Sequence, residues 1–269
     1  MMIDNLPRTV LGRTSIEVTR LGVGGAYCET ADGYRQALDC GVNYLDTARA
    51  YRDGEDEKVV GEALQNRREQ IILATKTEQR SGAGARRELE TSLRLLRTDY
   101  IDIYQLHHLN TAEEREKAFA LDGALPEVQK AKEEGLIRCI GVTGHDWKQI
   151  GIAISTGAFD TVLCWYNCAM KEPEQDIFPQ AKELNMGVVI MNAGRNDRLF
   201  SDSDVPAKAQ FYRYVLSHPA VHLTVMGLRD IEIFQQVAAG LSVSTRLSEA
   251  DKLQLEAYGT EMRQQGKLG

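Results

Sequence analysis

The chain of 269 residues is 26% charged and 43% hydrophobic, and its net charge of -7 argues against a nucleic-acid or anionic-membrane partner, whose phosphates it repels overall. That length admits one large α/β barrel, which takes roughly 250 residues, or two smaller domains. No run approaches the about 18 consecutive apolar residues of a membrane span, and the five cysteines (Cys28, Cys40, Cys139, Cys164, Cys168) lack metal-ligand spacing, which suits reduced, mostly buried thiols.

The first residues, MMIDNLPRTVLGRTS, contain no apolar signal-peptide core, so a cytoplasmic location is expected. TVLGRTSIEVT then has two short β-like runs around Gly12-Arg13-Thr14 and predicts a hairpin ahead of the main fold. Arg20 to Ala26 reads as a first core strand ending in paired glycines, Gly24 and Gly25. From there apolar runs alternate with helical stretches: 42–45 then 58–64, 70–75 then 85–97, 101–106 then 125–134, and 137–142 then 147–154. The series closes with 161–165 then 176–184, 187–191 then 206–216, and 221–226 then 231–239.

The helical stretches are apolar on one side, as at Leu89, Leu93 and Leu96. The strands are near-continuous apolar runs, as a parallel sheet buried on both faces requires. Eight such units predict a single domain over residues 1–269, a (β/α)8 TIM barrel with an N-terminal β-hairpin; a doubly wound open sheet is the runner-up. Asn196 to Val205 reads as a polar loop after the seventh strand, and Ser248 as the N-cap of a terminal helix.

A barrel gathers its chemistry at the carboxyl ends of its strands. That rule selects Asp46 and Tyr51 after the second strand, Lys76 at the end of the third, and His107 and His108 after the fourth. A buried Lys needs an anionic partner, and Asp46 supplies one. A phenol with pKa about 10 is a poor proton donor at neutral pH, and lowering it by about three units takes roughly 4 kcal/mol of preference for the phenolate. A nearby ammonium has the sign and size for this. Tyr51 is therefore the expected general acid or base, with Lys76 tuning it, Asp46 holding Lys76, and His107 orienting a carbonyl. No metal is expected, because adjacent His107 and His108 would point to opposite faces of a strand.

These residues resemble the aldo-keto reductase family. GVNYLDTARAYRDGEDEKVVGEAL is similar to the family signature GxNxxDTAxxYGxxExxLGxAL, and ATK, YIDIYQLHH, GLIRCIGVTGH, HPAVHLTVMG and the LGRTS start have counterparts in order and spacing. The resemblance implies an NAD(P)-dependent carbonyl reductase or alcohol dehydrogenase, and the short, helical tail after Arg246 suggests an open pocket for a small carbonyl or alcohol such as a sugar or polyol. The resemblance also implies the catalytic set Asp46, Tyr51, Lys76 and His107, and a cofactor lying extended across the barrel mouth.

Cofactor contacts implied by the resemblance are Gly25, Thr143, Asn167, Met191, Asn192, Gly194, Gly227 and Arg229. Several depart from the family pattern: Thr143-Gly144 replaces Ser-Asn, Leu163 replaces a Gln for which Asn167 is the substitute, and Met191 replaces the aromatic beside nicotinamide. The Lys-Ser and later Arg that clamp a 2'-phosphate are Gly227-Leu228 and Ile233, leaving Arg229, so NADP is favoured and NAD remains open. The substrate lining is expected from Tyr27, His108, Trp147 and Trp165 with the loop from Asn110 to Gly123. The departures also keep open a nucleotide-sensing or structural barrel that binds NAD(P) without turnover.

Overall fold

The computed structural model describes residues 5–200 and 206–268; the end of the expected 196–205 loop lies outside them. Ten strands occur among the described residues: β1 (Arg8–Val10), β2 (Glu17–Thr19), β3 (Leu21–Gly24), β4 (Tyr44–Asp46), β5 (Ile72–Thr77), β6 (Ile101–Leu106), β7 (Ile137–Thr143), β8 (Thr161–Trp165), β9 (Gly187–Met191) and β10 (Leu223–Gly227). The last eight pair in parallel and close in the order β10-β3-β4-β5-β6-β7-β8-β9, while β1 and β2 form the expected antiparallel hairpin. The eight strands predicted from alternation are thus the eight barrel staves.

Two apolar layers follow from the pleat. Side chains facing outward, such as Val23, Leu45, Leu73, Tyr104 and Val188, pack under the surrounding helices in one large core. Those facing inward, Tyr44, Ala74, Ile103, Cys139, Leu163, Val189 and Leu223, fill the barrel itself together with Leu11, Ile16 and Val18 of the hairpin. The hairpin therefore plugs the amino-terminal end of the barrel. Its turn fits against the start of β9: Arg13 N–H donates to the Asn185 carbonyl at 2.6 Å. At Gly12, with φ of 53°, a Cβ would meet the backbone of Gly187 at 2.4 Å.

All five cysteines are free and buried. The helix expected over 176–184 is two short pieces, Pro173–Asp176 and Phe178–Glu183. Ser248 caps Glu249–Gln264, accepting a hydrogen bond from Asp251 N–H at 3.1 Å. The segment expected to be a loop between Asn110 and Gly123 holds a helix, Ala112–Phe119, whose capping box joins Thr111 and Glu114. No helix among the described residues is long and apolar enough to cross a membrane.

Candidate active site

Strand parity builds the centre of the site. Side chains two residues apart share a face, so Asp46 stands above Tyr44, Lys76 above Ala74, and Gln105 above Ile103. One step beyond the apolar filling, the barrel interior turns polar. Asp46, Lys76 and Gln105 are at most 3% exposed. Lys76 Nζ donates to Asp46 Oδ2 at 2.6 Å and to the Thr47 carbonyl at 2.6 Å, and it lies 3.2 Å from Tyr51 Oη. Gln105 Nε2 donates to the other carboxylate oxygen, Asp46 Oδ1, at 2.8 Å.

Tyr51 rides on a tight loop in which Arg52, Asp53 and Gly54 all have positive φ. Arg49 clamps that loop, donating to the Asp53 carbonyl and to the buried Glu57 at 2.8 Å each. At Gly54 a Cβ would collide with the Arg49 guanidinium at 1.8 Å, so glycine is required both for φ and for the clamp.

Electrostatics follow from burial. Burial pulls the Lys76 ammonium down, but Asp46 and Tyr51 more than offset it, and its pKa lies above the usual 10.5. Burial raises the Asp46 carboxyl against the pull of Lys76. The Tyr51 phenol is raised by burial, lowered by Lys76 and raised again by Asp46, for a net position above 10.0. The expected depression of Tyr51 is therefore overturned: burial outweighs the ammonium, and the phenol holds its proton. His107 is driven well below 6.5 by burial and then by Lys76, so its imidazole is neutral at pH 7.

The histidines also depart from expectation. β6 ends at Leu106, and His108 has φ of 56°. The chain turns there, and the rings of His107 and His108 stack with centroids 3.7 Å apart. They do not point to opposite faces, and their Nδ1 atoms lie 3.4 and 3.0 Å from Glu78 Oε1. The geometric reason for excluding a metal therefore fails, since Glu78, His107 and His108 bring ligand atoms within 4.8 Å of one another.

A cavity of about 300 Å³ opens above this centre. Of the expected contacts, Asp46, Tyr51, Gly25, Tyr27, His108, Trp165, Met191, Asn192, Gly194, Gly227 and Arg229 line it. Lys76, His107 and Thr143 stand buried behind the lining. Asn167 is fully buried with its amide already occupied, donating to the Asn192 carbonyl and accepting from Ala169 N–H at 2.9 Å each. It braces the loop after β9 and does not face the cavity. Trp147 also lies off the lining, supporting Trp165 by donating to its carbonyl at 3.1 Å. The 110–123 segment contributes no lining residue.

Sequence reasoning missed Gln105, Asp197 and Tyr212, and weighed His145, which lines the cavity, only as a metal ligand. Gln105 had a signal: it is a polar residue inside an apolar strand, two positions before His107. On the opposite flank, Arg229 stacks on the Tyr27 ring at 3.8 Å and lies 3.4 Å from Asp197 Oδ2. Tyr27 in turn covers Gly227, where a Cβ would meet the ring at 2.6 Å.

The aldo/keto reductase family model matches residues 26–196, which hold the buried Asp46-Lys76-Tyr51 centre. The chain belongs to the aldo/keto reductase family. It is 31% identical to an uncharacterized oxidoreductase of Bacillus subtilis (strain 168) over 196 residues, covering 66% of this chain and 62% of that protein. The matched part is thus about three-fifths of that relative's length. Structural likeness extends further. A holo-form aldo-keto reductase from Bacillus halodurans superimposes with a TM-score of 0.82 at 25% identity, covering 94% of this chain and 96% of that one. An aldo/keto reductase from Klebsiella pneumoniae, solved with NADP and acetate, gives a TM-score of 0.78 at 26% identity and covers 94% and 95%.

Proposed function

We propose that the chain reduces aldehydes or ketones with a nicotinamide nucleotide, Tyr51 giving its proton to the carbonyl oxygen, or oxidises the corresponding alcohols by the reverse path. The observation that carries this reading is Lys76 Nζ held between Asp46 Oδ2 at 2.6 Å and Tyr51 Oη at 3.2 Å in a buried site. Bound NAD(P)H supplies the hydride. The phenol carries the proton to be given, and the adjacent ammonium stabilises the phenolate left after transfer, which offsets in part the weak acidity of a phenol raised above 10.0. Neutral His107, whose ring meets that of Tyr51 edge-on at 5.9 Å, orients the carbonyl without contributing charge.

NADP is the proposed nucleotide, with NAD accepted. Thr143 Oγ1 is buried without a hydrogen-bond partner, which suits a hydroxyl that receives a carboxamide. Gly25, Gly194 and Gly227 line the cavity, and Met191 offers an apolar surface to a ring. The NADP bound by the Klebsiella structure supports the choice, and a cytoplasmic location belongs to the same reading. The test is Tyr51→Phe. Turnover of NADPH with a carbonyl should fall at least about a hundredfold while nucleotide binding, followed by fluorescence titration, persists. Near-normal turnover would sink the assignment.

A further inference from the structure

Beside the proton-transfer centre the chain buries a second carboxylate that the mechanism leaves unused. Asp56 and Glu57 follow one another in the first turn of the helix Glu55–Ala63, and both are fully buried. Glu57 has a cationic partner in Arg49 at 2.8 Å. Asp56 has none among the described residues. Its Oδ1 accepts from Tyr34 Oη at 2.7 Å and its Oδ2 from Thr47 Oγ1 at 2.6 Å. Two hydroxyls and a helix N-terminus are a weak counterweight to a buried carboxylate, which ordinarily takes a cation.

What this carboxylate holds gives it a role. Thr47 is fully buried, and its carbonyl is one of two oxygens to which Lys76 Nζ donates at 2.6 Å, the other being Asp46 Oδ2. The main chain of Thr47 thus binds the ammonium while its side chain binds Asp56. Gly25 completes the link to the cavity. Its N–H donates to the Asp46 carbonyl at 2.7 Å, and a Cβ there would meet Asp56 Oδ2 at 2.4 Å, so the carboxylate lies directly behind a lining residue.

We infer that Asp56 is a positioning residue for proton transfer: through Thr47 it fixes the oxygen cradle of Lys76, and as a second buried anion it sets the charge balance in which Tyr51 gives up its proton. The inference rests on the reductase reading and deepens it. The charges facing Tyr51 are Lys76 from β5, Asp46 from β4 and Asp56 from the helix Glu55–Ala63, with neutral His107 edge-on from the end of β6. Arg52, on the same loop as Tyr51, donates to the Cys28 carbonyl at 2.8 Å. Tyr34, from the helix Ala31–Leu38, is neutral, because burial and then Asp56 raise its phenol far above 10.0. One ammonium therefore faces two carboxylates, an excess of negative charge that favours the protonated phenol. In keeping with this, burial raises Tyr51, Lys76 lowers it, and Asp46 and then Asp56 raise it again.

The test compares Asp56→Asn with Tyr34→Phe and Asp56→Ala. The amide keeps the shape of the carboxylate and can bond to both hydroxyls, but it carries no charge. Tyr34→Phe removes one donor to Asp56 and leaves both its charge and its bond to Thr47. In reduction of a carbonyl by NADPH, the alkaline limb of the kcat profile should begin at least about half a pH unit lower in Asp56→Asn, because loss of the anion eases ionisation of the phenol. Tyr34→Phe should keep the wild-type limb within about 0.2 unit, although its urea midpoint falls. Asp56→Ala also frees Thr47, so kcat at pH 7 should drop about tenfold with the KM of the carbonyl within about threefold, and Asp56→Asn should recover most of that rate. An unmoved limb in Asp56→Asn, an equal displacement in Tyr34→Phe, or equal rates for the Asn and Ala variants would overturn the inference. Carbon NMR of labelled tyrosine Cζ needs no turnover, and the resonance lost in Tyr51→Phe should ionise at lower pH in Asp56→Asn. If no carbonyl is reduced the reductase reading fails, while that displacement would still support the coupling of Asp56 to Tyr51, and identical titrations would reject it.

Discussion

Gln105 Nε2 donates to Asp46 Oδ1 at 2.8 Å while Lys76 occupies the other carboxylate oxygen, so both ends of a buried anion are held. Replacing Gln105 by Leu leaves a lone pair unsatisfied beside a charge, a loss of about 1.5–3 kcal/mol for a hydrogen bond to a charged group. Urea denaturation should show that destabilisation, and turnover should fall roughly tenfold as Asp46 loosens its hold on Lys76. Gln105→Glu should be worse on both counts, because it sets a second carboxylate against the first. Equal behaviour of the two variants would mean that Gln105 acts only by filling space.

Lys76 and Asp46 should behave as a pair and not as two independent contributions. Lys76→Met strands a buried carboxylate and should cost about 3–5 kcal/mol. Adding Asp46→Leu removes that stranded charge, so the double variant should regain much of the lost stability while remaining inactive. Denaturation midpoints of the three proteins, with single-turnover oxidation of NADPH, check both halves. A double variant as unstable as the single one would show that packing, and not the unpaired charge, sets the cost.

The histidines set an acid limit. His145 is held at about 4 and His107 lower still, both below the ordinary 6.5, so the folded state binds fewer protons than the unfolded chain in mildly acidic solution. Their depressed values contribute stability that is complete above pH 6.5 and is lost as pH falls through 4. The urea midpoint should therefore drop between pH 7 and pH 5. In His145→Asn the drop should be smaller, because one unfolded-state proton acceptor is gone. An undiminished drop in that variant would assign the acid sensitivity elsewhere.

The barrel was readable because its signals are local and repeated. Near-continuous apolar runs such as Ile101–Leu106 and Thr161–Trp165 came through with their bounds intact, since a parallel strand buried on both faces leaves no alternation to blur them. Asp46, Lys76 and Tyr51 were legible from strand-end position together with the charge a buried ammonium demands. Other features depend on where the backbone leaves its regular path. His108 was misread because a single residue at positive φ undoes strand parity. Asn167 was misread because its side-chain amide is consumed by the Asn192 carbonyl and the Ala169 N–H, a tertiary fact without a sequence signature. The protonation of Tyr51 turned on how burial compares with a neighbouring charge, and burial is known only once the loop is folded.

Nucleotide choice should turn on Asp197, which lies 3.4 Å from Arg229 Nε with both groups about half exposed. In that position the carboxylate competes with a 2'-phosphate for the guanidinium. An exposed pair of this kind is worth up to about 1 kcal/mol, which bounds the effect at several-fold. Asp197→Ala should tighten NADPH several-fold, through release of Arg229 and removal of a like charge, and should move NADH much less. Arg229→Ala should weaken NADPH about tenfold or more and leave NADH within about threefold, in keeping with loss of a charge-assisted contact to phosphate. Fluorescence titration of both nucleotides against the wild type and the two variants is the measurement. A parallel shift for NADPH and NADH would remove Arg229 from 2'-phosphate recognition and leave its stacking on Tyr27, 3.8 Å from the ring centroid, as its role.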